Sequence, residues 1–92
     1  MPKLLIIRNF IFLLFSVDVN EKRKHVHVEI RKGHKRRLAK FWLEPDVELF
    51  DKGNLSSKEI KEAEKMIYEN YLLLISQIEK FFNGEDITTI KK

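Results

Sequence analysis

The chain has 92 residues, no cysteine and a formal net charge of +4, from 18 Lys or Arg against 14 Asp or Glu. A chain this short buries only ~60% of its unfolded surface, which predicts one domain over residues 1–92 and argues against a deep internal active site. Its 43% hydrophobic content, with seven Phe, excludes a disordered chain. The absence of Cys excludes disulfides, thiolate zinc sites and cysteine nucleophiles, in keeping with a reducing, cytoplasmic setting.

Residues 1–17 set Lys3 ahead of an apolar stretch, the outline of a signal peptide. Arg8 and Asn9 split that stretch into runs far shorter than the ~20 residues that span a bilayer. Asp18, Val19 and Asn20 offer no small-residue cleavage site. Residues 4–7 and 10–15 are therefore predicted as two buried strands hinged at Arg8-Asn9, and no membrane association is expected. Residues 18–24 are polar and turn-rich. Residues 25–30 alternate as a strand, so that Val26 and Val28 face a core while His25, His27 and Glu29 face outward. Residues 31–37, with Gly33, read as a charged hairpin loop, and 38–43 as the return strand. Alternation there leaves open whether Leu38, Lys40 and Trp42 or Ala39, Phe41 and Leu43 form the more buried face. Pro45 ends that strand, and residues 47–50 form a further short extended piece.

Ser56-Ser57-Lys58-Glu59 is a capping box, and Leu55 is placed to staple against Ile60. Ile60, Ala63, Ile67, Tyr71, Leu74, Ile78 and Phe81 then recur at intervals of three and four, one continuous helical stripe that stops at Gly84. A straight helix over residues 57–82 would be ~39 Å long, long enough to overhang the sheet or to bend near Asn70. Met66, Leu72, Leu73 and Phe82 widen the apolar surface, which points to a second chain as partner, either another copy or a different protein. The expected architecture is α+β: a mainly antiparallel sheet of about four strands over residues 3–50, one long C-terminal helix over 57–82 packed on one face, and a short tail over 84–92.

Charge is unevenly spread. Residues 21–40 carry nine Lys or Arg (22, 23, 24, 31, 32, 35, 36, 37 and 40) against Glu21 and Glu29, while residues 41–92 carry seven bases against eleven acids. A basic segment of this kind attracts phosphate backbones or an acidic protein, and it also keeps a sheet edge from aggregating.

Five segments carry a resemblance: Asn9-Phe10-Ile11-Phe12, His25-Val26-His27-Val28-Glu29, Ala39-Lys40-Phe41-Trp42-Leu43-Glu44-Pro45, Val47-Glu48-Leu49 and the helix start Ser57-Lys58-Glu59-Ile60. Together they resemble a small bacterial family, domain of unknown function 4160, over roughly residues 1–82. The resemblance implies a small cytoplasmic α+β protein of a family often encoded beside a second small protein, some relatives of which are proposed as the toxin halves of toxin–antitoxin pairs, with His25, His27, Trp42 and Glu44 as signature positions. The chain departs from the family pattern at Asn9, where Gly is usual, at Ile11, where a basic residue is usual, and at Lys24, where Pro is usual.

Three readings of the histidine strand stay open. In the first, His25 and His27 act as acid and base in metal-free cleavage of RNA, with Glu29 beside them. Lys24, Arg31, Lys32, Lys35, Arg36, Arg37 and Lys40 would hold phosphates, and Trp42 would stack a base. In the second, His25, His27 and Glu29 bind zinc or manganese, but no fourth ligand is at hand because His34 sits among cations. In the third, the histidines are structural and pair with Glu29, Glu44 or backbone carbonyls. Ser16 is too poorly flanked for a nucleophile, and no cofactor is expected. The functional expectation is a toxin component acting on RNA, partnered by another copy or by a small acidic antitoxin-like protein. The alternative is a protein- or nucleic-acid-binding module without catalysis.

Overall fold

The computed structural model describes residues 2–15, 23–32 and 35–92, without the side chains of Lys32 and Lys35. Ser16, Gly33, His34 and most of the turn expected over 18–24 lie outside the described residues.

Six strands and two helices follow in the order β1 (Lys3–Ile7), β2 (Phe10–Leu13), β3 (His25–Lys32), β4 (Lys35–Trp42), β5 (Glu48–Asp51), α1 (Ser57–Glu69), α2 (Tyr71–Phe82) and β6 (Ile90–Lys91). They form an α+β fold on one sheet of order β5-β4-β3-β2-β1-β6. The first five strands run as an antiparallel meander, and β6 pairs parallel to β1.

Register sorts the side chains onto two faces. Phe12 lies opposite Val28, which lies opposite Ala39, and Val26 lies opposite Phe41. These residues form the apolar core with Ile60, Ala63, Ile67, Leu74 and Ile78 from the helices. This settles the ambiguous return strand: Ala39, Phe41 and Leu43 are buried in the core, while Leu38, Lys40 and Trp42 share the opposite face with the histidines.

The fold corrects the expected count of about four strands and one helix in several places. Residues 31–37 are not a long loop, because the ladder continues through Arg31↔Arg36 and Lys32↔Lys35. The tail contributes β6, whose two residues are too few to show a pattern. It is held by Thr89 Oγ1 donating to the Lys3 carbonyl (2.9 Å), by the Lys92 amide donating to the Ile6 carbonyl (2.8 Å), and by Gln77 Nε2 donating to the Leu4 and Thr88 carbonyls (3.1 and 2.8 Å).

The helical stripe is broken at Asn70. A ~39 Å rod would exceed the longest dimension of the molecule, 33 Å. Asn70 is buried; its Nδ2 donates to the Met66 carbonyl (2.9 Å) and its Oδ1 accepts from Lys92 Nζ (2.6 Å). Gly84, at φ 73°, ends α2 in a Schellman motif, with the Glu85 amide donating to the Lys80 carbonyl and the Gly84 amide to that of Phe81. Most of the apolar surplus is used by the chain itself: Met66 is buried, and Leu73 and Phe82 pack against the core, so of the four residues that pointed to a partner only Leu72 stays largely exposed.

Candidate nucleic-acid interface

On the sheet face away from the helices, β3 presents His25, His27, Glu29 and Arg31. Their cross-strand neighbours on β4 are Trp42, Lys40, Leu38 and Arg36, and those of His27 and Glu29 on β2 are Leu13 and Ile11. The rings form a diagonal chain of edge-to-face contacts. Phe15 meets His27 (centroids 4.5 Å apart), His27 meets His25 (5.3 Å), His25 meets Trp42 (5.6 Å) and Trp42 meets Phe50 (5.1 Å). Edge-to-face packing is a favoured arrangement of aromatic rings and stabilises each pair by ~0.5–1.5 kcal/mol beyond burial.

The expected outward-facing trio is therefore on the predicted face but is not open to solvent as a set. His25 is fully buried, Glu29 is 1% exposed and His27 is half-buried. The reason is long-range: Trp42 of β4 packs on His25, and Phe15 after β2 packs on His27. The His25 Nδ1 lies 3.1 Å from the Arg23 carbonyl oxygen. Glu29 carries two guanidinium partners, Arg31 Nε at 3.0 Å and Arg36 Nε.

The basic residues divide between the two faces. Lys40 Nζ sits 4.7 Å from the Trp42 ring centroid and 5.0 Å from that of Phe50. Arg23 lies 4.3 Å over Trp42 while its Nε donates to the Glu44 carbonyl (2.5 Å), and Lys24 Nζ meets the Glu44 carboxylate at 3.3 Å. Arg37 is not part of this face. It turns to the helix side, where it grips Glu59 with two hydrogen bonds (2.8 and 2.5 Å) and donates to the Asn54 carbonyl. There it borders an open concavity of about 420 Å³ between the β1–β2 turn and the start of α1. Lys32 and Lys35 stand opposite each other at the end of the β3–β4 ladder.

Sequence reasoning missed Phe15 and Phe50. Phe15 follows Ile11 and Leu13 in alternation, so pairing β2 beside the histidine strand would have placed it on this face. Phe50 had no such signal, because a bulge decides its direction: Lys40 pairs with Asp51 while the adjacent Phe41 pairs with Leu49. Among the described residues no group of three or more His, Asp or Glu is arranged to hold a metal.

The fold and this face define a small α+β protein whose sheet carries an aromatic and basic surface opposite its helices. The profile of the family described as domain of unknown function (DUF4160) matches residues 9–77, and the chain belongs to that family. The match runs from the β1–β2 turn into α2, so it includes the ring chain from Phe15 to Phe50 and leaves out β1 and β6. No curated protein and no solved structure matches the chain. None of the described helices is long and apolar enough to cross a membrane.

Proposed function

We propose that this protein binds RNA, with the end of the β3–β4 ladder gripping the phosphate backbone and the histidines serving the fold. The observation that carries this reading is the pair of successive like-charge matches, Arg31↔Arg36 and Lys32↔Lys35. Like charges directly opposite in a ladder oppose folding by a few tenths to ~1 kcal/mol each. Glu29 offsets the arginine pair by bonding to both members. A ribbon whose last two registers pair Arg with Arg and Lys with Lys suits a polyanion, because each phosphate neutralised releases counterions.

Burial of His25 favours the binding module over the ribonuclease. In a toxin–antitoxin setting such a protein arrests growth by occupying RNA, and an acidic antitoxin-like partner relieves it by covering the same cations. Growth arrest on induction is then expected from the wild type and is relieved in Lys32→Ala/Lys35→Ala at equal soluble level.

The direct test is anisotropy of a labelled RNA dodecamer titrated with protein over a range of salt. Binding should weaken linearly in log–log form, and Lys32→Ala/Lys35→Ala should lower the slope by ~1.4, at ~0.7 per single-strand phosphate contact. The RNA should remain intact on a gel. Absence of binding at low salt, or an unchanged slope in the double variant, contradicts the reading. Tight binding of polyglutamate in place of RNA would assign the ribbon to an acidic protein.

A further inference from the structure

Phe50 is an anomaly in this fold. It belongs to the edge strand β5, all four residues of which are exposed, and it is itself 58% exposed. It is the extra residue of the β4–β5 bulge: Leu49 and Asp51 pair with the adjacent Phe41 and Lys40, and Phe50 falls between them. Bulges re-aim a side chain at the cost of a ladder position and are common beside functional sites. Here the bulge turns Phe50 onto the ring-bearing face, at the open end of the chain of aromatic contacts.

The other rings of that chain are less open. His25 is fully buried, and Phe15, His27 and Trp42 are half-buried. Trp42 also has the Arg23 guanidinium 4.3 Å and the Lys40 ammonium 4.7 Å from its centroid. The role expected of Trp42, stacking a base, therefore passes to its neighbour. Phe50 is backed by Trp42 at 5.1 Å and has Lys40 Nζ over one side of its ring, 5.0 Å from the centroid, yet it keeps 58% of its surface exposed. The nearby carboxylates are engaged: Glu48 faces Arg23 at 3.5 Å, and Asp51 Oδ1 accepts from the Gly53 amide at 2.8 Å. Along β4, Lys40 stands four residues from Arg36, ~13 Å at strand rise, so a few nucleotides link Phe50 to the cationic ribbon.

We infer that Phe50 is a stacking platform for an unpaired nucleobase, which makes the ligand a single strand rather than a duplex. This rests on the nucleic-acid reading above and adds the ligand's class to it. Base–aromatic stacking needs an open π-face, which a paired and stacked duplex base does not present, and it tolerates any base. The site accordingly selects for strandedness and not for sequence.

The test uses the full chain with three probes: a labelled RNA dodecamer, an abasic dodecamer with the same number of phosphates, and a blunt RNA duplex. Phe50→Ala, a change at an exposed position, should weaken dodecamer binding about tenfold or more with no change in salt slope, and should leave abasic binding as it is. Phe50→Tyr should restore the affinity. The protein's single Trp, beside Phe50, should change its emission on dodecamer addition and not on addition of the abasic strand. If Phe50→Ala binds the dodecamer like wild type, or if wild type binds the abasic strand or the duplex as tightly as the dodecamer, the platform is refuted while the cationic ribbon stands. If wild type binds none of the three, the nucleic-acid reading falls and the platform with it.

Discussion

Gly53 has φ 56°, and a methyl group added there would lie 1.8 Å from the Leu38 carbonyl oxygen. This turn presses against β4, where Asn54 Oδ1 accepts from the Leu38 amide and the Asn54 carbonyl accepts from Arg37. Gly53→Ala is therefore expected to cost at least ~2 kcal/mol from left-handed strain and backbone overlap, a fall in Tm of ~10 °C. Gly84 also has positive φ but open space around it, so Gly84→Ala should cost only ~1 kcal/mol. Similar losses for the two variants in thermal melts would contradict this account of the turn. Glu29 makes the converse point about charge. With its carboxylate buried between Arg31 and Arg36, Glu29→Gln leaves the two guanidiniums facing each other. A loss of ~2–3 kcal/mol is expected, partly recovered by added salt that screens the repulsion. Urea midpoints at low and high salt measure both. The face of these residues was legible from alternation in residues 25–29. Their burial was not, because it depends on rings that are distant in sequence.

At the scale of elements, the start of α1 was legible to the residue. Ser56 accepts from the Glu59 amide (3.2 Å) and the Glu59 carboxylate accepts from the Ser56 amide (2.8 Å). The Glu59 carboxyl is held below its ordinary value, first by that bond from the Ser56 amide and then by Arg37, against the opposing effect of burial. A lowered folded-state pKa stabilises above the unfolded value of ~4.3 and is lost as pH falls through the folded value. Wild type should thus lose stability below pH ~4.3. Glu59→Gln should be less stable by ~1 kcal/mol at neutral pH and should show a flatter acid limb, read from denaturation midpoints over pH. The break at Asn70 was only half legible: helix length left either an overhang or a bend near Asn70, and the Lys92 contact made at the break spans 22 residues of sequence. β6 was illegible because it exists only through the edge of β1. Deleting residues 88–92 should lower stability by ~3 kcal/mol through lost hydrogen bonds and Ile90 packing. It should also raise light scattering, since an apolar strand edge is uncovered.

Across the whole molecule, the sheet separates two surfaces of different chemistry. One carries the ring chain with Arg23, Arg36 and Lys40; the other is covered by helices from the acid-rich half, on which Tyr68 and Leu72 remain 58% and 81% exposed. The imbalance of charge along the sequence foreshadowed this division, though not the side on which Arg37 falls. That choice is made by register, which places Arg37 opposite Ile30 on the core face. The most direct measurement of the central claim is the set of backbone amide NMR shifts on addition of a single-stranded RNA dodecamer. Binding through the cationic ribbon and ring-bearing face predicts graded shifts at Arg31, Lys32, Lys35, Arg36, Lys40 and Phe50, with Tyr68 and Leu72 unmoved. Shifts centred on Tyr68 and Leu72, or none on either surface, would contradict it.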